Sequence, residues 1–522
     1  MPLSSDLYRE LEDMVGTEYI SADPVVLDGY AYQRVGEFDT ASERQAFTPR
    51  PEAAVLPENT EAVQAIVKWC NRRGVSFKAS CTGYGPWNAM TREGAILLDM
   101  RRMNRILDLD EKNMFIVVEP YVSFGQIQSE AWKRGLNCNI IGAGAQTSFL
   151  ASHTSMGGCG IQTVSMGYSG RNILGVEWVT PTGEIVRIGS PGNGSGWFSG
   201  DGPGPSIRGI IRGCNGASGG LGVFTKCAGK LGPWPGPAEL KIEGTSPEYE
   251  AEIPPLFDYH ILEWPTWEKC ADGLYRICEA GLPYALHKAG GPGSHGAIVT
   301  TTNNEYWERR KAGELLIPKV SMGLVMAAKS AREHTFQVKV LDKILAETGG
   351  RICPVGEEPT FRRRDFLHMV KACFVPRLAF RLTGAFTEDG MIGIDSIAHA
   401  TMGLRMDEAI KDKYAERGAI LADGTYNTWA AMWEAGHLAH FECGHQFDQM
   451  DDESVRGVAE MMRDGMDMAE KVPLASHWIA PPKMIGPQCE NFHLWMGAIK
   501  RTFDPNLRSD PSAYISGEED YE

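Results

Sequence analysis

Near the end of the chain lie side chains able to ligate a metal or move a proton. His437, His440, Glu442 and His445 fall in the run Gly436-His437-Leu438-Ala439-His440-Phe441-Glu442-Cys443-Gly444-His445, and His477 and His493 follow. Imidazole binds divalent cations and titrates near neutrality. The cluster therefore reads as a metal site, as a metal-free site with a histidine or Glu442 as base, or as satisfied core histidines. A second concentration of unusual chemistry is in the backbone. Of the 48 residues from Gly189 to Gly236, 16 are glycine, and Gly142, Gly144, Gly157, Gly158, Gly160 and Gly167 form another group. Such backbone can approach a ligand closely or take positive φ, and it packs poorly alone. A bound ligand filling that space would explain it.

The rest of the composition narrows the classes. With 522 residues and roughly 100 to 200 per domain, two to four domains are expected. The 67 acids exceed the 51 bases by 16, a balance that repels phosphate backbones and argues against nucleic acid as a partner. The first residues lack a basic stretch followed by an apolar run, so no secretory signal is expected. The longest stretch free of Asp, Glu, Lys and Arg, Gly135 to Gly170, is interrupted throughout by Gly, Ser, Thr, Asn and Gln and does not read as a membrane span. The 12 cysteines form no C-x-x-C pair, which argues against a zinc ribbon or an iron–sulfur cluster and suits scattered thiols in the cytoplasm. No G-x-G-x-x-G follows a first strand and opens a helix, so a dinucleotide-binding Rossmann turn is not expected.

The elements that must position these groups show in the periodicities. Asn59 offers an N-cap, Val63, Ile66, Val67 and Cys70 recur at helical spacing, and Gly74 stops the helix. Strands follow at 75–78, 95–100 and 115–118, then a helix with Phe124, Ile127, Ala131 and Trp132 on one face. Residues 173–180 and 185–188 read as a strand pair around Pro181-Thr182-Gly183. The run Gly232-Pro233-Trp234-Pro235-Gly236-Pro237 marks a boundary, beyond which helix formers, Met and charge predominate, as in 329–349 and 451–471. This is the pattern of a second, α+β domain.

Five segments in order resemble the vanillyl-alcohol oxidase / p-cresol methylhydroxylase superfamily. They are Pro57-Glu58-Asn59-Thr60-Glu61-Ala62-Val63, the loop Lys78-Ala79-Ser80-Cys81-Thr82-Gly83, Gly142-Ala143-Gly144 with Thr154-Ser155-Met156-Gly157-Gly158, Gly216 to Thr225, and Ile499-Lys500-Arg501-Thr502-Phe503-Asp504-Pro505-Asn506. Within the superfamily the likeness is nearest to FAD-linked 2-hydroxy-acid dehydrogenases of the glycolate oxidase / D-lactate dehydrogenase type. The resemblance implies an α+β fold. Residues 1–236 would be a PCMH-type FAD-binding domain of two α/β subdomains, 237–470 a substrate (cap) domain, and 471–522 a segment returning to the FAD domain. It implies non-covalent FAD held by Lys78, Ser80, Cys81, Thr82, Gly83, Gly142, Gly144, Thr154, Gly157, Gly158, Gly219, Gly222, Val223 and Lys500. Backbone N–H groups from small-residue turns suit a pyrophosphate. Thr82 stands where some relatives carry a flavin-linking histidine. Cys138 falls where berberine-bridge-type relatives attach flavin through cysteine, although a buried structural thiol is the plainer reading.

The same resemblance implies the chemistry. Trp307-Glu308-Arg309-Arg310-Lys311 is similar to a segment whose arginine, here Arg310, helps bind a substrate carboxylate; a solvated helix face is the alternative. The histidine run looks like a degenerate form of the metal site of hydroxy-acid dehydrogenases, giving His437, His445 and His477 as metal ligands and His437, His440, Glu442, His477 and Arg310 as catalytic candidates. The expected activity is an FAD-dependent dehydrogenase, rather than an oxidase, moving hydride from a C–H next to a hydroxyl of a 2-hydroxy acid or related alcohol. Alternatives are oxidation of a phenolic or aromatic side chain, a flavin transferase like alkylglycerone-phosphate synthase, and a flavin subunit of a larger redox complex. The substrate would be a small anionic or aromatic molecule. The electron acceptor would be oxygen, an electron-transfer flavoprotein, a quinone or a partner subunit, and the chain a cytoplasmic homo-oligomer.

Overall fold

In the computed structural model the described residues are 3–32, 48–83, 90, 92–156, 158–200, 220–245, 248–288, 292–315, 317–424, 426, 429–471, 486–510, 515 and 517. The first part of the chain builds two sheets. Strands β1 (Ile20–Ser21), β2 (Ala54–Val55), β3 (Ser76–Ser80) and β4 (Ala95–Asp99) form the first in the order β1-β2-β4-β3, with β2, β4 and β3 parallel. Strands β5 (Ile106–Asp110), β6 (Phe115–Val118), β7 (Ile173–Val179), β8 (Ile185–Ile188) and β9 (Val223–Lys230) form the second, antiparallel throughout, in the order β5-β6-β9-β7-β8.

Helices pack on these sheets as the periodicity requires. In α1 (Thr60–Arg73) the Asn59 side chain accepts from the Ala62 N–H at 2.8 Å, Val63, Ile66, Val67 and Cys70 are buried, and Gly74 closes the helix in the left-handed region at φ 69°. Helix α2 (Phe124–Trp132) starts with a reciprocal Ser123/Gln126 capping box.

The second half is built on one seven-stranded antiparallel sheet. Its strands are β10 (Phe257–Glu263), β11 (Pro283–Lys288), β12 (Ser321–Ala327), β13 (Arg351–Ile352), β14 (Ala385–Asp395), β15 (Trp429–Trp433) and β16 (Leu438–Phe447), ordered β13-β10-β12-β11-β15-β16-β14. Helices α3 (Trp267–Glu279), α4 (Asn303–Lys311), α5 (Ala331–Thr348), α6 (Pro359–Lys371), α7 (Ile397–Glu416) and α8 (Asp452–Glu470) complete this half. Side chains alternate across a strand, and here the two faces bury different things. Met322, Leu324, Ala430, Met432, Phe441 and Cys443 pack with α3, α5, α7 and α8. On the opposite face, Ala285 and Val325 pack with α6, while Ala431 and Trp433 pack with Cys159 and Tyr168 of the first part. Among the described residues no helix is long and apolar enough to cross a membrane.

The chain then returns. After α9 (Phe492–Phe503), Ser509 pairs parallel to Phe77 of β3, with Phe77 N–H donating to the Arg508 carbonyl and Asp510 N–H to the Phe77 carbonyl. The side chain of Lys78 meets both carboxylate oxygens of Asp510 at 3.0 Å. Lys500 donates to the carbonyls of Gly220 and Ser509 and pairs with Asp504. One short segment thus ties the edge of the first sheet to the entry of β9 in the second.

Candidate active site

Two of the glycine-containing segments meet. Ser80 ends β3, and in the loop after it Thr82 Oγ1 accepts from the Ser148 N–H at 3.0 Å, across 66 residues of chain. Cys81 is half-buried, and Gly83 is left-handed at φ 74° with nothing among the described residues within 4 Å of where a Cβ would stand. That open side belongs to a backbone able to sit close to a ligand.

The other glycines answer to protein neighbours. A Cβ on Gly142 would come within 3.1 Å of the Trp429 ring, and one on Gly158 within 2.5 Å of Ile141. Gly144 has φ 114° and faces its own Gln146, and Gly222, at φ 93°, faces the backbone of Val179 to Pro181. Thr154 donates to the Leu150 carbonyl, and Val223 opens β9 as a core residue. The ammonium groups of Lys78 and Lys500 are held by the C-terminal segment. Gly157 and Gly219 lie outside the described residues.

Over these segments lies the sheet face that carries Trp429, Ala431 and Trp433. The register pairs Ala431 with His440 and Trp429 with Glu442, so His440 and Glu442 share that face. The hairpin turn between β15 and β16, Glu434-Ala435-Gly436, is left-handed at all three residues, and Glu434 pairs with Arg171. Thr163 Oγ1 donates to the Met432 carbonyl at 3.1 Å, a second tie between the hairpin and the first part of the chain. Tyr168, Trp433 and His440 then form a stack, with ring centroids 5.5 and 5.6 Å apart.

His440 is buried, and its hydrogen bonds fix a proton count. Nδ1 lies 3.0 Å from the Gly393 carbonyl, which only accepts, so Nδ1 carries a hydrogen. Nε2 lies 2.9 Å from Glu442 Oε1. Either the ring is protonated at both nitrogens opposite a carboxylate, or Glu442 carries the proton and donates it. The pair holds one exchangeable proton in both arrangements, and Glu442, with 26% of its side chain exposed, is its outer member.

The remaining candidates are not gathered there. His437 is exposed beyond the hairpin turn. His445 is five residues on from His440 and so faces the helices on the other side of the sheet, where it is buried. His477 lies outside the described residues. Arg310, in the last turn of α4, donates from Nη2 to the Ala422 carbonyl at 3.1 Å and packs over Gly424.

Several residues on the Trp429 side of the sheet gave no sequence signal. His287 on β11 touches the Trp429 ring, with centroids 4.8 Å apart, and burial lowers its pKa to about 4; burial lowers that of His368 on α6 to about 3. Both rings are neutral at neutral pH. Glu388, opposite Gly444, adds a buried carboxylate to the same face as Glu442. Ser169 Oγ, Trp429 Nε1 and His287 Nε2 are buried along this seam without a hydrogen-bond partner among the described residues. Ring nitrogens and carbonyls of a flavin are the kind of partner such groups lack.

The fold is that of p-cresol methylhydroxylase, and residues 51–189 match the FAD binding domain family. FAD is the cofactor of this domain. The solved structure of p-cresol methylhydroxylase with substrate bound superposes with a TM-score of 0.75 over 98% of this chain and 97% of that one, at 17% identity. The 4-ethylphenol oxidase of Gulosibacter chungangensis gives a TM-score of 0.72 at 17% identity, covering 99% and 98%. In sequence, the chain is 30% identical to a D-2-hydroxyglutarate dehydrogenase of Stutzerimonas stutzeri over 144 residues, 27% of this chain and 31% of that protein. It is 29% identical to the 4-cresol dehydrogenase [hydroxylating] flavoprotein subunit of Pseudomonas putida over 223 residues, 40% of each. The chain spans less than half the length of the curated relatives it matches.

Cys138 is fully buried, its thiol 3.6 Å from the Phe124 carbonyl and pushed up to about 12 by burial. A thiol so held is a poor nucleophile. Acid precipitation is therefore expected to leave all the flavin in the supernatant as FAD. Flavin remaining on the pelleted chain would point to Cys138.

Proposed function

We propose that the chain is an FAD-dependent oxidoreductase that removes hydride from a carbon attached to, or conjugated with, a hydroxyl group, and that its substrate is a small phenol or aromatic alcohol. The His440–Glu442 pair carries this reading. Bound FAD supplies the two-electron sink. With His440 protonated at both nitrogens, Glu442 is a carboxylate; it accepts the substrate hydroxyl's proton while the His440 Nε2–H holds it in place. Trp429 offers an apolar ring beside Glu442, and the ties from Thr163 and Arg171 to the hairpin hold that strand against the FAD-binding segment. We also propose the three-part division 1–236, 237–470 and 471–522, which the separate sheets and the returning C-terminal segment support.

A second reading, oxidation of a 2-hydroxy acid, is favoured by the likeness to D-2-hydroxyglutarate dehydrogenase. It needs a guanidinium free to grip a carboxylate, and Arg310 is engaged with the Ala422 carbonyl. Arg310→Met is accordingly expected to change kcat/KM by less than about threefold, the size of an ordinary half-exposed substitution. Anaerobic mixing with 4-cresol and with D-lactate separates the readings: bleaching of the flavin by 4-cresol alone is expected. Bleaching by D-lactate alone, with a loss of thirtyfold or so in Arg310→Met, would put the hydroxy acid in its place.

A further inference from the structure

The alternation that turns His440 and Glu442 toward the cofactor segment turns Cys443 and His445 the other way, into the core between sheet and helices. Asp389 on β14 and Asp407 on α7 meet them there, and all four are buried to 1% exposure or less. Ligand atoms of Asp389, Asp407 and Cys443 all lie within 4.8 Å of one another. His445 Nε2 is 3.1 Å from Asp407 Oδ1 and 3.6 Å from Asp389 Oδ2, yet among the described residues neither ring nitrogen of His445 makes a hydrogen bond of good geometry. The surrounding side chains include Leu404, Phe441 and Met461. Lys411, one turn on from Asp407, donates to Asp423 at 3.1 Å. Two carboxylates, a thiol and an imidazole in an apolar core are costly without a compensating charge.

We propose that Asp389, Asp407, Cys443 and His445 form a closed, structural binding site for a divalent transition metal of the zinc class. One sulfur, one nitrogen and two oxygen donors make a four-coordinate set that suits zinc and leaves no open position for substrate. The strand irregularity between Glu388 and Ile392 brings Asp389 to the site, and α7 and β16 supply the rest. On binding, the metal takes the thiolate, the two carboxylates and the neutral ring, and the displaced protons go to solvent. It would pin α7 and β14 to β16, the strand whose opposite face carries His440 and Glu442.

The test is the metal content of the purified FAD-loaded protein, with zinc X-ray absorption on the same sample. The expected result is stoichiometric zinc with one sulfur neighbour at about 2.3 Å and nitrogen or oxygen neighbours at about 2.0–2.2 Å. Cys443→Ala and His445→Ala should each lower zinc at least tenfold, while His437→Ala leaves it unchanged. Should the core variants fail to fold, the wild-type absorption spectrum decides alone. Metal-free wild-type protein that takes up no zinc or cobalt after dialysis against either would overturn the proposal, as would zinc without a sulfur neighbour.

Discussion

Glu442→Gln is expected to lower kcat/KM by about 10² to 10⁴, or about 3–5 kcal/mol of transition-state stabilisation, with FAD content unchanged. The substitution keeps the shape of the side chain. A glutamine amide can donate to His440 Nε2 while Nδ1 still donates to the Gly393 carbonyl, so the stack with Trp433 survives. What is lost is the group that can take a proton from substrate. The limb of the pH–rate profile due to the pair should vanish with it, whereas a merely structural role would leave the profile's shape intact. Activity within twofold of wild type would remove Glu442 from the reaction.

Lys78→Met should be the most damaging single change to stability. Lys78 and Asp510 are 3% and 12% exposed as side chains, and removing the ammonium leaves a buried carboxylate uncompensated, a loss of about 3–5 kcal/mol. Burial already raises the Asp510 pKa, and Lys78, with a smaller part from Lys500, holds it down. In the variant that carboxyl binds its proton more tightly in the folded state than in the unfolded one. The deficit should therefore be largest at neutral pH and shrink as pH falls toward the ordinary carboxylate range. Denaturant titrations at two pH values measure this. Adding Asp510→Asn should restore most of the stability and the FAD retention. If Lys78 instead contacts the cofactor, the double variant would regain stability and still shed FAD.

The local parts of this architecture were legible. The Asn59 cap, the Gly74 stop and the 3.6-residue spacing of Val63, Ile66, Val67 and Cys70 announce α1. Roles within the glycine-containing segments were not, because they depend on partners far along the chain. Gly158 spares Ile141, Gly142 spares Trp429, and Lys78 finds Asp510 across 432 residues. Composition carries no trace of such pairings. The histidine run misled in a different way. Read as a cluster it unites His437, His440 and His445, but a strand over Leu438–Phe447 assigns His440 and His445 to opposite faces by parity alone. His287 and His368, single histidines within an apolar strand and a helix, had no spacing to betray them.

The pairing of Phe77 with Ser509 also sets a timetable. At roughly 5–20 residues per second, a ribosome needs about 20–90 s to make the stretch between them. During that time the edge of the first sheet stays open, the Lys78 ammonium lacks its partner, and the loop after β3 is unsupported. A nascent chain halted ahead of Ser509 could complete the seven-stranded sheet and yet be unable to retain its flavin. Until Ser509 has been made, the β3 edge is an unpaired one, of the kind that invites pairing with another chain.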